Sequence, residues 1–377
     1  MKAWGVACMA DLHGIILAYH TAPELGDLVR SRTSASLPFC GRYRLIDFSL
    51  SSMQNAGVRD VGVVMQRDYQ SLLDHLGGGK EWDLSRKRGG LRLLPPFGNL
   101  GNPTGEYEGV IEALCAVESY IGNIKQRYVV ITRGNLAANI DLADVMARHL
   151  ESGADVTAVC TPHIPRRAHQ RYITDGGFVK ELLYRQGGRG AGYASLEMYI
   201  MSKETLLGIM ERGSSGRKYR FHRDEIAGLL ASGGKVAVYV HSGYARHIFS
   251  VGEYYKASMD MLDAANRATL FPDERPVRTK DRSDVSTYYG EEASSKNCLV
   301  ADGCFIEGVI ENCILFRGVK VGNGARVKNA VVMQDTVIGE GAELSYVISD
   351  KNVEISPYIT LAGSPRLPLV IPKMSRI

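Results

Sequence analysis

The segment after the first apolar run is the first place where side chains indicate or exclude a particular chemistry. Residues 12–19 (LHGIILAY) predict a buried strand, and parallel sheets bind ligands beyond the carboxyl ends of their strands. A loop that cradles phosphates needs residues without Cβ, because backbone N–H groups must approach the anion closely. Tyr19 and His20 stand there instead, and Glu24 adds a charge that repels phosphate. These side chains therefore argue against a phosphate-cradling loop here, unless the loop takes another shape that still binds nucleotide.

Two further polar residues, Asn135 and His247, follow apolar segments elsewhere in the chain. Asn135 comes shortly after residues 128–132 (YVVIT), and His247 lies in residues 243–250 (GYARHIFS). Mg²⁺ prefers hard anionic oxygens, so an amide and an imidazole are weak ligands for it. A histidine can serve as a general base, but a single one with no carboxylate nearby in the sequence usually has a structural role. These two side chains therefore indicate neither a magnesium site nor a catalytic group.

Composition excludes several classes of protein. Lys and Arg (45) nearly balance Asp and Glu (41), for a net charge of +4, and no basic run is interleaved with aromatics, so we expect no nucleic-acid partner. No apolar run approaches the ~20 residues of a membrane span, and no signal peptide is expected. The seven cysteines are scattered without a CxxC motif, which predicts reduced thiols in a cytoplasmic protein rather than zinc ligands or a disulfide framework.

The elements that would position these residues fall into two patterns along the 377 residues. Over residues 1–270, short apolar strands (61–65, 128–132, 156–160 and 235–240) alternate with helical segments (110–121, 142–151 and 254–267). This alternation predicts an α/β domain with a mostly parallel sheet that is covered on both faces.

The second pattern begins after a linker at residues 271–295, which carries two prolines and mixed charges. From residue 296 to 377, aliphatic residues recur every six positions, as in Leu315, Val321 and Val327, with glycines between them. This period fits neither a helix nor a hairpin and predicts a parallel β-helix. Since such coils expose edges, we expect a homo- or hetero-oligomer.

Several motifs in this chain resemble those of one known family. Residues 38–48 (PFCGRYRLIDF), 71–75 (SLLDH), 82–84 (WDL) and 288–308 (YYGEEASSKNCLVADGCFIEG) are similar to motifs of the glucose-1-phosphate adenylyltransferase (ADP-glucose pyrophosphorylase) family. The resemblance covers nearly the whole chain. It implies a Rossmann-like (GT-A-like) nucleotidyltransferase domain followed by a left-handed parallel β-helix of hexapeptide repeats.

The resemblance also implies a reaction, in which ATP and glucose-1-phosphate give ADP-glucose and pyrophosphate with the help of Mg²⁺. The residues at the family's demanding positions differ in type here. Tyr19, His20 and Ala22 occupy loop glycine positions, Glu24 and Ser34 replace a phosphate-binding Arg and a Lys, and Asn135 and His247 replace two metal-binding Asp residues. Three other positions of the substrate and nucleotide pocket are Gln66, Gly109 and Gly134.

The motifs that build the scaffold match the family, whereas the residues at the site differ from it. With the resemblance, this contrast implies a role in glycogen biosynthesis other than catalysis. Residues 12–28 (LHGIILAYHTAPELGDL) and 35–39 (ASLPF) resemble the D-type subunit of the bacterial glycogen-type enzyme. We therefore expect a catalytically deficient subunit that binds no cofactor itself and modulates an active, Mg²⁺-requiring paralogue within a hetero-oligomer, as a tetramer.

Three alternatives stay open. The chain could be an active adenylyltransferase with an atypical site, or a stand-alone regulatory protein that senses a sugar phosphate or nucleotide. A hexapeptide-repeat acyltransferase would account for the C-terminal repeats alone and would leave the sheet domain unexplained.

Overall fold

The computed structural model describes residues 9–19, 22–96, 107, 109–163, 170–184, 191–215 and 225–377. Within these ranges the chain forms an N-terminal α/β domain and a C-terminal β-helix. In this part of the chain, none of the helices is long and apolar enough to cross a membrane.

The N-terminal domain is built on a nine-stranded sheet in the order β5-β4-β1-β6-β11-β8-β12-β10-β9. Seven of these strands run in one direction, and β10 and β11 run against them, so the prediction of a mostly parallel sheet is confirmed. In chain order the strands of this domain are β1 (Leu12–Leu17), β2 (Pro38–Phe39), β3 (Tyr43–Arg44), β4 (Asp60–Val64), β5 (Gly90–Leu94), β6 (Tyr128–Arg133), β7 (Leu136–Ala138), β8 (Val156–Thr161), β9 (Gln170–Asp175), β10 (Phe178–Tyr184), β11 (Tyr193–Ser202), β12 (Val236–Val240) and β13 (Ala245–His247).

Helices cover both faces of this sheet, with a separate apolar cluster on each face. The described helices of this domain are α1 (Leu45–Asn55), α2 (Gln70–Leu76), α3 (Val110–Ala116), α4 (Glu118–Gly122), α5 (Leu142–Ser152), α6 (Lys203–Ser215), α7 (Ile226–Ala231), α8 (Val251–Asp260) and α9 (Ala264–Leu270). The last two pack into the cluster between the domains rather than onto the sheet.

Two of the predicted helices are each broken into two. The first breaks at Val117, whose backbone leaves the helical region between α3 and α4. The second breaks between α8 and α9, because Asp263 is extended and its carboxylate accepts a hydrogen bond from the N–H of Ala265 (2.9 Å). An aspartate in this position is a strong N-cap and so starts a new helix.

The C-terminal domain is a left-handed β-helix whose three faces are five-stranded parallel sheets. The six-residue period predicted a parallel β-helix, and the family resemblance implied its left hand. Its strands, in chain order, are β14 (Tyr288–Tyr289), β15 (Ser294–Lys296), β16 (Leu299–Val300), β17 (Phe305–Ile306), β18 (Val309–Glu311), β19 (Ile314–Leu315), β20 (Lys320–Val321), β21 (Arg326–Lys328), β22 (Val331–Val332), β23 (Val337–Ile338), β24 (Glu343–Ser345), β25 (Val347–Ser349), β26 (Glu354–Ile355), β27 (Thr360–Ala362) and β28 (Leu369–Ile371).

The first coil of this β-helix begins earlier than the sequence analysis placed it. β14 lies within the segment 271–295, which the sequence analysis assigned to the linker, and it pairs with β17 of the next coil. Its residues carry polar and aromatic side chains, which hide the aliphatic period. The described residues 271–287 form neither helix nor strand, and they run along α1, where the N–H of Arg278 donates to Oγ of Ser51 (2.9 Å).

The two domains share a buried interface. Its apolar part includes Leu25 and Leu28 from the N-terminal domain and Ile314, Phe316 and Ile348 from the β-helix. Its polar part is an ion pair between Arg32 and Asp350, in which one guanidinium nitrogen lies 2.8 and 2.9 Å from the two carboxylate oxygens. Both side chains are almost fully buried.

Candidate functional site

The candidate site lies at the carboxyl ends of three neighbouring parallel strands. Leu17 of β1 pairs with Val64 of β4 on one side and with Arg133 of β6 on the other. The segments that follow these strands therefore meet at one edge of the sheet, which is where ligands bind in such folds. They bring together Tyr19, Gln66 and Asn135.

Tyr19 fills space at this edge with an aromatic ring. It is 4% exposed and belongs to the core cluster on one face of the sheet. Its ring meets the ring of Tyr107 edge to face, with 5.5 Å between the centroids. Burial raises the pKa of the Tyr19 hydroxyl to about 12, so the group is neutral at physiological pH.

Gln66 fixes the backbone on both sides of this aromatic pair. With its amide oriented to satisfy both neighbours, its nitrogen donates to the carbonyl of Tyr19 (3.1 Å) and its oxygen accepts from the N–H of Tyr107 (3.0 Å). Gln66 is buried, so this amide is committed to the fold. His20 lies outside the described residues.

The chain continues from Ala22, which is buried, into the short 3₁₀ helix Pro23–Val29. Glu24 lies on the exposed side of this segment. Leu25 and Leu28 point the other way, into the interface with the β-helix. The segment that would bind phosphates in a nucleotide site is thus anchored by apolar residues between the two domains.

Gly134 and Ser34 lie where two backbone segments come close together. Ser34 is buried on the short 3₁₀ helix Ser34–Ser36 and supplies no positive charge. A Cβ added at Gly134 would lie 2.7 Å from the Cβ of Ala35, which is closer than two carbon atoms can pack. Only glycine therefore fits at 134.

Asn135 and His247 are brought together by the two-stranded sheet of β7 and β13, in which His247 pairs with Leu136. Nδ2 of Asn135 donates to the carbonyl of Ile248 (2.9 Å), and the N–H of Ile248 donates back to the carbonyl of Asn135 (3.2 Å). Nε2 of His247 donates to the carbonyl of Leu196 (2.8 Å). Both side chains thus hold neighbouring backbone in place.

A cavity of about 740 Å³ opens beside His247, between β11, β13 and α8. Ser195, Glu197, Arg246 and Lys256 contribute charged and polar groups to its wall. Glu197 is buried at a bulge of β11 with a left-handed backbone (φ 47°), and it forms an ion pair with Arg133. Sequence reasoning missed this pair, because neither residue belongs to a motif.

Gly109 lies at the N-cap of α3, where its carbonyl accepts from the N–H of Ala113 (3.2 Å). Its backbone is extended, in a conformation open to any residue. The described structure therefore gives Gly109 a role in starting a helix.

Comparison with known proteins places this geometry in a family. A nucleotidyl transferase profile matches residues 13–172, and a GlmU-like C-terminal hexapeptide profile matches residues 284–365. The glycogen biosynthesis protein GlgD of Bacillus subtilis is 38% identical over 93% of this chain and 92% of its own length. The chain belongs to the glucose-1-phosphate adenylyltransferase family, with the GlgD proteins. The GlgD of Geobacillus stearothermophilus is 36% identical over 83% of this chain and 82% of its own. The glucose-1-phosphate adenylyltransferase of Acetivibrio thermocellus is 28% identical over 95% of this chain and 85% of its own length.

The family's metal requirement can be tested against the residues present. Asn135 and His247 donate their hydrogens to backbone carbonyls and offer no anionic oxygen. Among the described residues, no group of three or more His, Cys, Asp or Glu side chains is placed to hold a metal ion. The residues at this family site do not fit Mg²⁺.

A second, basic pocket of about 280 Å³ lies between the two domains and the linker. Its wall combines one acidic residue, Asp281, with one histidine, His75, and with six cationic side chains, namely Arg42, Arg44, Lys280, Arg282, Arg317 and Lys351. Burial, reinforced by the charges of Arg44 and Arg32, lowers the pKa of Lys351 to about 7. Such a concentration of cations suits an anion. The sequence analysis missed this pocket because its residues come from six separate stretches of the chain.

Proposed function

We propose that this chain is a subunit of glucose-1-phosphate adenylyltransferase in glycogen synthesis, and that it is catalytically deficient and modulates an active paralogue. The names of its relatives support the pathway. The observation that carries the deficiency is the use of Asn135 and His247, at the family's metal positions, as hydrogen-bond donors to backbone.

The size of the expected deficiency follows from the number of groups replaced. Loss of one well-placed electrostatic group typically costs roughly a hundred- to a thousand-fold in rate. Here the phosphate loop, two basic positions and both metal positions differ together, and Tyr19 fills part of the loop with a buried ring. Such losses are not additive, but together they leave little catalysis.

The proposed partner supplies what this chain lacks. In this proposal the active paralogue binds Mg²⁺ and carries out the reaction in the cytoplasm. The two chains together form a hetero-tetramer. The modulating chain needs an intact scaffold, and the buried interdomain contacts of Arg32, Leu25 and Leu28 supply one. Coupling between sites in an oligomer is typically worth about 1–3 kcal/mol, or roughly 5- to 150-fold in affinity.

Titration of the paralogue with this chain tests the proposal. We expect mixed oligomers in sedimentation and a change in turnover, or in substrate or effector affinity, within that range. Rate curves that superimpose at every ratio, with no mixed oligomer in the same samples, would leave the partner-subunit role without support.

The basic interdomain pocket supports a regulatory component of this role, with a phosphorylated or sulfated anion as the ligand class. Because the pKa of Lys351 is about 7, this lysine loses its charge as the pH rises through neutrality. Sulfate, which does not titrate in this range, should therefore bind more tightly at pH 6 than at pH 8.

Calorimetry on two matched variants checks the pocket. Lys351→Met should weaken sulfate binding at pH 6 and remove most of the difference between pH 6 and pH 8. Lys320→Met, which removes an exposed lysine on another face of the β-helix, should leave both unchanged. Equal sulfate affinity in all three proteins would contradict an effector site here.

One observation favours the alternative of an active enzyme with an atypical site. The cavity beside His247 has room for a sugar phosphate and carries Arg246, Lys256 and Ser195. The rate of ADP-glucose synthesis by the isolated chain distinguishes this active enzyme from a catalytically deficient subunit.

A further inference from the structure

Two cysteines occupy equivalent positions on the first two coils of the β-helix. Cys298 immediately precedes β16 and Cys313 immediately precedes β19, and these strands pair with Leu299 opposite Ile314. The N–H of Leu299 donates to the carbonyl of Cys313 (2.9 Å), which fixes the register between the two coils. Neighbouring strands lie about 4.7–4.9 Å apart, within the roughly 4.4–6.8 Å between Cα atoms that a disulfide spans.

The two thiols also affect each other's ionisation. The side chain of Cys313 is the main cause that holds the pKa of Cys298 well below its usual value, at about 6. The thiol of Cys313 itself lies within hydrogen-bond distance of the carbonyls of Glu311 (3.1 Å) and Val327 (3.3 Å). Burial instead raises the pKa of the other five described cysteines, namely Cys40, Cys115, Cys160, Cys304 and Cys313. Cys298 is half-buried and Cys313 is buried, so reagents reach Cys298 first.

The first coil can adjust its position more easily than the others. Among the described strands, β14, β15 and β16 each lie at the end of their sheet and pair on one side only. A coil whose strands pair with one neighbouring coil only can tilt towards that coil at a lower cost in free energy than a coil whose strands pair on both sides. The side chains of Cys298 and Cys313 can therefore converge to the Cβ separation of about 3.5–4.5 Å that a disulfide requires.

We propose that Cys298 and Cys313 form a thiol–disulfide switch that covalently joins the first two coils of the β-helix. The oxidant is a low-molecular-weight disulfide. The Cys298 thiolate attacks one of its sulfur atoms, which forms a mixed disulfide and releases one thiolate. Cys313 loses its proton to solvent and attacks the Cys298 sulfur, which releases the second thiolate. The two cysteines lose two electrons and two protons, and the oxidant becomes two thiols.

The bond would lie next to the domain interface. Leu299, the residue after Cys298, packs against the apolar cluster that joins the two domains. Two residues further on, Ala301 lies beside Gly41 of the N-terminal domain. Oxidation would thus join two coils that both contact the N-terminal domain, through Leu299 on the first coil and Ile314 and Phe316 on the second.

Glutathione buffers of defined thiol-to-disulfide ratio test the switch on the full chain. We expect mass spectrometry of the alkylated, digested protein to show a Cys298–Cys313 cross-link that increases with glutathione disulfide and reverses with dithiothreitol. In Cys313→Ala, Cys298 should instead retain glutathione as a mixed disulfide. This variant should fold, because Ala330 occupies the equivalent position in the next coil. The control Cys304→Ala, at a buried thiol elsewhere in the same coils, should still form the cross-link.

Two results would overturn the proposal. One is a wild-type chain that keeps glutathione on Cys298 without forming the cross-link, and the other is a chain in which neither cysteine reacts with glutathione disulfide. A second measurement tests the contact itself. The rate of Cys298 alkylation should be half-maximal near pH 6 in the wild type and shift upward by about one pH unit or more in Cys313→Ala. An unchanged profile would show that Cys313 does not activate Cys298.

Discussion

Asn135 and His247 each donate a hydrogen bond to a backbone carbonyl. The family resemblance implies metal-binding carboxylates at these two positions. The residue types were readable from the sequence by comparison with the family motifs. Their hydrogen-bond partners were not, because β7 and β13 are far apart in the chain and pair only in the folded protein. The burial of Tyr19 was equally unreadable, since it depends on a ring contact with Tyr107.

The contact of Asn135 predicts that restoring the family carboxylate lowers stability. In Asn135→Asp, a buried carboxylate would face the carbonyl of Ile248, and neither group could donate at neutral pH. We expect a loss of about 1–3 kcal/mol in the free energy of unfolding at pH 7, measured by urea denaturation. The loss should shrink as the pH falls, because burial raises the pKa of the new carboxyl and its protonated form can donate.

The matched control is Asn123→Asp, which makes the same chemical change at an exposed residue. It should alter stability by no more than about 0.5 kcal/mol. An Asn135→Asp variant as stable as this control would show that the amide does not hold Ile248 in solution.

At the scale of elements, the β-helix was more predictable than the helices of the N-terminal domain. Its register depends on a repeated inward position, so Val321 and Val327 could be assigned from the period alone. The first coil escaped notice because residues 288–296 lack that period. The helix breaks at Val117 and Asp263 depend on local backbone geometry and a cap, which apolar spacing does not reveal.

Gly134 provides an element-scale prediction, because it allows the end of β6 to approach the turn that carries Ala35. In Gly134→Ala the new methyl group would lie 2.7 Å from the Cβ of Ala35, and no flexible side-chain end can move away. We expect a loss of about 1–3 kcal/mol in the free energy of unfolding by urea titration.

Gly228→Ala is the comparison for this change. Gly228 lies within α7 with no neighbouring atom within 4 Å of the added methyl. Alanine there should leave stability unchanged or raise it by up to about 1 kcal/mol. Equal effects of the two substitutions would argue against a close approach at Gly134.

At the scale of the whole molecule, the two domains are held together by Arg32 and Asp350, which are 318 positions apart in the chain. Sequence analysis predicted both domains but not this contact, because nothing in the local pattern around either residue indicates its partner. The basic pocket beside it escaped prediction for the same reason.

Removal of one member of this ion pair should be strongly destabilising. Arg32→Ala would leave Asp350 charged and buried, at an expected cost of about 3–5 kcal/mol in the free energy of unfolding. The double variant Arg32→Met/Asp350→Asn should lose clearly less, because it leaves no uncompensated charge. The single variants Arg32→Met and Asp350→Asn are measured beside it. If the double variant loses as much stability as these two single variants together, the pair does not couple the domains.

The rate of ADP-glucose synthesis by the purified chain alone tests the central claim most directly. The assay contains ATP, glucose-1-phosphate and Mg²⁺, with the active paralogue as the positive control. The altered phosphate loop and the backbone-bound Asn135 and His247 predict a negligible turnover number. Asn135→Asp combined with His247→Asp should not restore it, because the phosphate loop would still be missing. A turnover number for the wild-type chain within tenfold of an ordinary enzyme's ~10 s⁻¹ would contradict the account.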